Sequence, residues 1–80
     1  MQRIEKFLNR LSLQKRLKVS EVINQILVGK TDGLDVKRLR GDKNIFRIRI
    51  GKVRIVYKKV GGSYIVLKMG WRDDNTYRDY

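Results

Sequence analysis

Cysteine and histidine are both absent from the 80 residues of this chain, and the two absences exclude whole classes of chemistry. No disulfide framework, thiol nucleophile or Cys/His zinc site can be built. A Ser-His-Asp triad is impossible as well, and so is a ribonuclease reaction that shuttles protons through paired imidazoles. Long apolar runs are missing too: none approaches the roughly 18 residues of a spanning helix, and no signal-peptide pattern opens the chain. The expectation is a cytoplasmic protein with no membrane partner, no metal and no cofactor. Acidic residues are scarce, 8 against 20 Lys plus Arg, for a formal charge of +12. Such a chain is expected to bind polyanions, nucleic acid first. Any catalysis has to run on Arg, Lys, Tyr and a few carboxylates.

The length suits a single domain over residues 1–80, and a domain this small buries only about 60% of the surface its unfolded chain exposes. Ile4, Phe7, Leu8 and Leu11 recur at the spacing of an amphipathic helix, with Arg3, Glu5, Lys6, Asn9 and Arg10 elsewhere on the wheel. A second stripe follows in Val19, Val22, Ile23, Ile26 and Leu27, closed by Gly29. Its start has two candidate caps, Ser12 and Ser20, which would begin the helix near Leu13 or near Val19 respectively. Turn chemistry at Lys30-Thr31-Asp32-Gly33 leads into Leu34 to Arg40, which reads as a connector anchored by Val36 and Leu39.

Three strands are expected next, roughly Ile45 to Ile50, Val53 to Val60 and Tyr64 to Met69, separated by the hairpin signals Gly51-Lys52 and Gly61-Gly62-Ser63. The fold class is therefore α+β, an N-terminal helical hairpin packed on an antiparallel meander of about three strands. Successive strand residues point to opposite faces. Phe46, Ile48, Ile50, Val53, Ile55, Tyr57, Ile65, Leu67 and Met69 are expected to meet the helices. Arg47, Arg49, Arg54, Val56, Lys58, Val66 and Lys68, with Arg72 beyond them, are expected on the opposite face. From Lys37 to Lys59 the basic residues also include Arg38, Arg40, Lys43 and Lys52, against the single acid Asp42. A greasy face opposite a guanidinium-lined one calls for an anionic partner, although alternation alone equally describes a solvated polar face.

Taken in order, Leu39-Arg40-Gly41, Phe46-Arg47-Ile48-Arg49-Ile50-Gly51, Arg54-Ile55-Val56-Tyr57 and Met69-Gly70-Trp71-Arg72 with Tyr77-Arg78 resemble the RelE/ParE superfamily of toxin proteins. The resemblance follows helix and strand order over the whole chain and is sharpest from Leu39 onward. It implies a type II toxin of the RelE branch, an mRNA interferase that enters the A site of the 30S subunit of the ribosome and cleaves mRNA there. Attack by a ribose 2′-hydroxyl on the adjacent phosphate would leave a 2′,3′-cyclic phosphate. It also implies a cognate antitoxin as partner; the oligomeric state of the free toxin is left open, with a monomer as the expectation. The family's two basic residues on the first strand of the meander fall on Arg47 and Arg49, its phosphate-binding arginine on Arg54, its C-terminal arginine on Arg72 and its base-stacking tyrosine on Tyr77. Lys37, Arg38, Arg40, Lys43, Lys52, Lys58 and Lys68 are the candidates for contacts to RNA backbone.

In-line cleavage builds negative charge on equatorial phosphate oxygens, and converging guanidiniums stabilise that charge. A ring at Tyr77 would hold an unstacked base, a contact of about 1–3 kcal/mol. Two departures from the family pattern stand out. Arg49 occupies a position where relatives often carry lysine, and a guanidinium is a poor proton acceptor at neutral pH; Lys68, on the same face, is the alternative. The family's usual opening strand is also missing before the first helix, which would bare a sheet edge for an antitoxin segment or a second copy. Trp71 reads as a hydrophobic cover at the sheet end and Tyr57 as core. Asp73 and Asp74 read as capping or solubilising residues rather than as a magnesium pair, since no third carboxylate lies nearby in sequence. The competing functions are DNA gyrase inhibition, as in the ParE branch of the same fold, and a non-catalytic basic module that binds RNA or an antitoxin.

Overall fold

The computed structural model describes residues 2–39 and 44–71. Two helices come first, α1 (Gln2–Arg10) and α2 (Leu13–Leu27), followed by four strands, β1 (Asp35–Arg38), β2 (Ile45–Ile50), β3 (Val53–Val60) and β4 (Ser63–Trp71). The joint between the helices lies at Leu11-Ser12. Ser12 is the cap of α2, its Oγ accepting from the backbone N–H of Lys15 at 3.3 Å, so the earlier of the two candidate starts is the one used. At the other end Lys30 N–H reaches the Gln25 carbonyl at 2.8 Å and Gly29 N–H the Ile26 carbonyl at 3.0 Å. Those two bonds make a Schellman motif with Gly29 at its left-handed position, φ 74°.

The strands form one antiparallel sheet in the order β1-β2-β3-β4. β1 adds one strand to the expected meander of about three and corrects the reading of Leu34 to Arg40 as a connector. Its sequence Asp-Val-Lys-Arg carries one apolar residue and no turn signal, so only pairing with β2, Val36 opposite Ile48 and Lys37 opposite Arg47, identifies it. Two-residue turns with positive φ at Gly51 and at Gly61 join β2 to β3 and β3 to β4.

The helices cover one face of the sheet. Val19, Val22 and Ile26 of α2 close over Ile48 and Ile55, register partners, and all five are fully buried. Burial of each such side chain contributes about 1.5–3 kcal/mol. Phe46 stacks on its partner Tyr57 with centroids 5.3 Å apart, and Trp71 meets Phe7 of α1 at 5.1 Å, covering the sheet end as expected.

Strand β4 departs from simple alternation. Val56 pairs with Lys68 but Tyr57 pairs with Val66, so Leu67 is an extra residue, a β-bulge. The bulge overturns the face assignments of three residues. Val66 turns to the helix side and packs on the main core, whereas Leu67 and Ile65 do not face the helices. Leu67 instead covers a second, smaller cluster of Leu39, Ile45 and Val56, and Ile65 is exposed opposite Lys58. Lys68 keeps the face that alternation gives it.

Candidate functional site

The face turned away from the helices is built in rows across the strands. One row runs Asp35, Arg49, Arg54 and Gly70; the next runs Lys37, Arg47, Val56 and Lys68; Lys58 follows opposite Ile45 and Ile65. Arg47, Arg49 and Arg54 are thus gathered on one face with Lys37, Lys58 and Lys68 beside them. Among the described residues, Asp35 is the one acid that the register places in these rows. Arg49 and Arg54 are direct register partners, whose Cβ atoms stand about 4.5–5.5 Å apart in such a pair. Like charges in that position repel, and Asp35 at the head of the row, 2.9 Å from Arg49 Nε, offsets part of that repulsion. Gly70, itself buried, flanks Arg54 on the far side and presents no side chain.

Asp35 organises the row, and its role is invisible to a reading of charges in sequence order. Its Oδ1 lies 3.2 Å from Nη1 of Arg47 and its Oδ2 accepts from Nε of Arg49 at 2.9 Å. Nη1 of Arg47 also donates to the Asp35 carbonyl at 3.0 Å. Hydrogen bonds from Arg47 and then Arg49 hold the Asp35 carboxyl below the usual carboxylate range. The consequence differs for the two arginines. Arg47 is 6% exposed and its guanidinium is committed to Asp35, whereas the Arg49 side chain keeps 35% of its surface in solvent. Arg54 is half-buried, with its Nε inside the protein.

Other sequence candidates fall elsewhere. Arg38 is on the helix side of the sheet edge, its guanidinium 5.9 Å from the Phe46 ring centroid, and Lys52 sits in the β2–β3 turn at the end of the sheet. Lys37 is exposed at the head of its row. Arg40, Lys43, Arg72 and Tyr77 lie outside the described residues, as do Asp73, Asp74 and Arg78. Among the described residues no group of three or more His, Cys, Asp or Glu is placed to hold a metal ion. No described helix is long and apolar enough to cross a membrane.

Two helices laid over one face of a four-stranded antiparallel sheet, with a basic opposite face, define a small two-layer α+β domain. Among solved structures the chain is similar to one in the RelB-RelE antitoxin-toxin complex from Methanococcus jannaschii. The two share 27% sequence identity over 88% of this chain and 85% of that one, with a TM-score of 0.65. The likeness ties this fold to that of a toxin-antitoxin complex without selecting a branch. Comparison with protein-family models finds no match, and neither does comparison with curated proteins.

Proposed function

We propose that this chain is the toxin of a type II toxin-antitoxin pair, a ribosome-dependent endoribonuclease that cleaves mRNA in the A site and so inhibits translation. The observation that carries the reading is the gathering of Arg47, Arg49 and Arg54 on one sheet face, two of them direct partners. A phosphodiester offers two oxygens to the two neighbouring guanidiniums, the arrangement that suits bidentate recognition. The fold's likeness to a chain of an antitoxin-toxin complex supports an antitoxin as the cognate partner.

In this mechanism the 2′-hydroxyl oxygen forms a bond to phosphorus as the bond to the 5′-oxygen breaks, giving a cyclic phosphate and a free 5′-hydroxyl. Arg54 and Arg49 bind the equatorial oxygens where charge develops. Asp35 engages both Arg47 and Arg49 and so positions Arg49, and Arg47 behind them adds positive potential. Lys68, one row along from Arg54, adds a further cation beside the phosphate, and the 2′-hydroxyl proton passes to water. Arg72 is assigned to protonation of the leaving oxygen and Tyr77 to stacking of the base, on the family resemblance. Positioning of mRNA by the ribosome can lower the barrier by as much as about 7–11 kcal/mol in favourable cases, so a strong base need not come from the protein.

The test is a translation extract with programmed ribosomes, read by primer extension across the A-site codon. Wild-type protein is expected to cut there, and Arg54→Ala to cut about 10²–10³-fold more slowly. Intact mRNA together with blocked supercoiling by gyrase would move the chain to gyrase inhibition. Salt-sensitive RNA binding with no break would make it a binding module.

A further inference from the structure

On the helix side, at the end of the sheet, a cavity of about 160 Å³ opens between α2 and the β2–β3 turn. Its floor is the last register row of the sheet, Ile50, Val53 and Trp71, backed by Val19 of α2. Lys15 and Lys18 rise from the first turns of α2 on one side and Lys52 from the turn on the other. Lys15 Nζ stands 5.8 Å from the Trp71 ring centroid, within reach of a cation–π contact. The cavity is on the opposite layer from the arginine rows, and the proposed cleavage uses none of the floor residues.

We propose that this notch docks an acidic peptide segment of a partner protein, one large apolar side chain entering the cavity and carboxylates on either side meeting Lys15, Lys18 and Lys52. The cavity matches in size the roughly 150 Å³ apolar cavities that take up a benzene-sized group, so it accepts one leucine- or phenylalanine-like anchor. Every polar side-chain group around it is a donor, because lysine ammonium and indole N–H have no acceptor. The polar part of the occupant must therefore consist of acceptors carrying negative charge. A nucleotide meets that requirement with its phosphate, but its base edges also carry donors, for which these side chains offer nothing, and the floor is mostly aliphatic. An acidic segment with an apolar anchor satisfies both the floor and the rim. The pairing of a hydrophobic centre with a charged rim is the usual anatomy of a specific interface. The inference stands apart from the proposed nuclease reaction.

Trp71 is the chain's one tryptophan, so the site carries its own reporter. The intact protein is titrated with a capped pentapeptide in which a central leucine is flanked by two acidic residues on each side, and Trp71 fluorescence is followed. Parallel titrations use the same peptide with central alanine and a uridine oligonucleotide of equal charge. The leucine peptide is expected to give a saturable shift, with the alanine peptide about tenfold weaker or more, as the loss of buried methylenes requires. Lys15→Glu with Lys52→Glu should abolish the shift, whereas Lys30→Glu with Lys59→Glu, the same change in net charge elsewhere, should leave it. Amide resonances of Gly51 and Lys52 in the unmutated protein should move with the same saturation curve, a readout that depends on no variant folding. Equal binding of the two peptides, tighter binding of the oligonucleotide, or no saturable response of Trp71, Gly51 and Lys52 to the leucine peptide would each overturn the proposal.

Discussion

Asp35 holds Arg47 with both side chain and backbone, Nη1 lying 3.2 Å from Oδ1 and donating to the carbonyl oxygen at 3.0 Å. The acid is half-exposed and the arginine almost wholly buried, so the cation is the partner that depends on the pair. Replacement of a buried ionic group by a hydrophobic one of similar shape is often neutral or stabilising. Arg47→Met is therefore expected to keep or slightly raise the melting temperature, with Asp35 still engaged by Arg49. Cleavage in the ribosome assay should nonetheless fall about tenfold or more, the effect of removing a fixed positive charge from beside the phosphate. Full cleavage by a well-folded Arg47→Met protein would remove Arg47 from the site and leave it a structural role.

Acid should weaken this fold through the same carboxylate. Because the Asp35 pKa is lowered in the folded protein, its stabilising contribution is present above the unfolded value of about 3.8 and is lost as pH falls through the folded value. Asp35→Asn removes that dependence. The wild type is expected to melt higher than Asp35→Asn at neutral pH, and the gap should close below about pH 3.8. A gap that stays constant on acidification would mean that the carboxylate's charge is not what holds the arginines.

The two helices and the bounds of β2 and β3 are legible in the sequence because their periodicities are long and Gly29 and Gly51-Lys52 punctuate them, whereas the start of α2, open between Ser12 and Ser20 in sequence, is decided only by the structure. β1 is hidden because four residues with one apolar side chain carry no period. Asp35 is hidden for a related reason, since it meets Arg47 and Arg49 12 and 14 residues away, and only the β1–β2 register shows it. The arginine rows follow from alternation within β2 and across the Gly51-Lys52 turn, which preserves parity. Parity fails in β4, where Ile65, Leu67 and Met69 fit one apolar stripe as well as Tyr64, Val66 and Met69 do. Choosing between them takes the small cluster under Leu67, a tertiary contact.

Gly29 has a steric reason as well as a backbone one. A Cβ there would stand 3.1 Å from Cε2 of Tyr64, at a φ of 74°. Left-handed backbone costs a residue with a Cβ about 1–2 kcal/mol. Gly29→Ala is expected to lose at least that in chemical denaturation. Combined with Tyr64→Leu, the second substitution should recover part of the loss, a coupling that a double-mutant cycle reads directly. Simple additivity would show that the ring yields freely and that φ alone sets the cost.

The bulge at Leu67 makes a prediction that distinguishes it from an ordinary strand residue. Deleting Leu67 joins Val66 to Lys68, and the pairs Tyr57–Val66 and Val56–Lys68 then follow each other in regular alternation. Every other side chain keeps its face. The deletion should therefore fold, at the cost of the contact that the partly buried Leu67 makes with Leu39, Ile45 and Val56, less than the about 2–5 kcal/mol of truncating a fully buried leucine. Deleting Val56 from β3 has the opposite consequence, because a one-residue slip in a regular strand sends every following side chain to the wrong face. That variant is expected not to fold. β4 is also an edge strand, and bulges are one device that keeps an edge from pairing with other chains. The Leu67 deletion should accordingly associate more readily than Leu67→Ala when the two are compared by light scattering at equal concentration. If the deletion unfolds the protein as completely as loss of Val56, the extra residue is an integral part of the β3–β4 register and not an insertion into it.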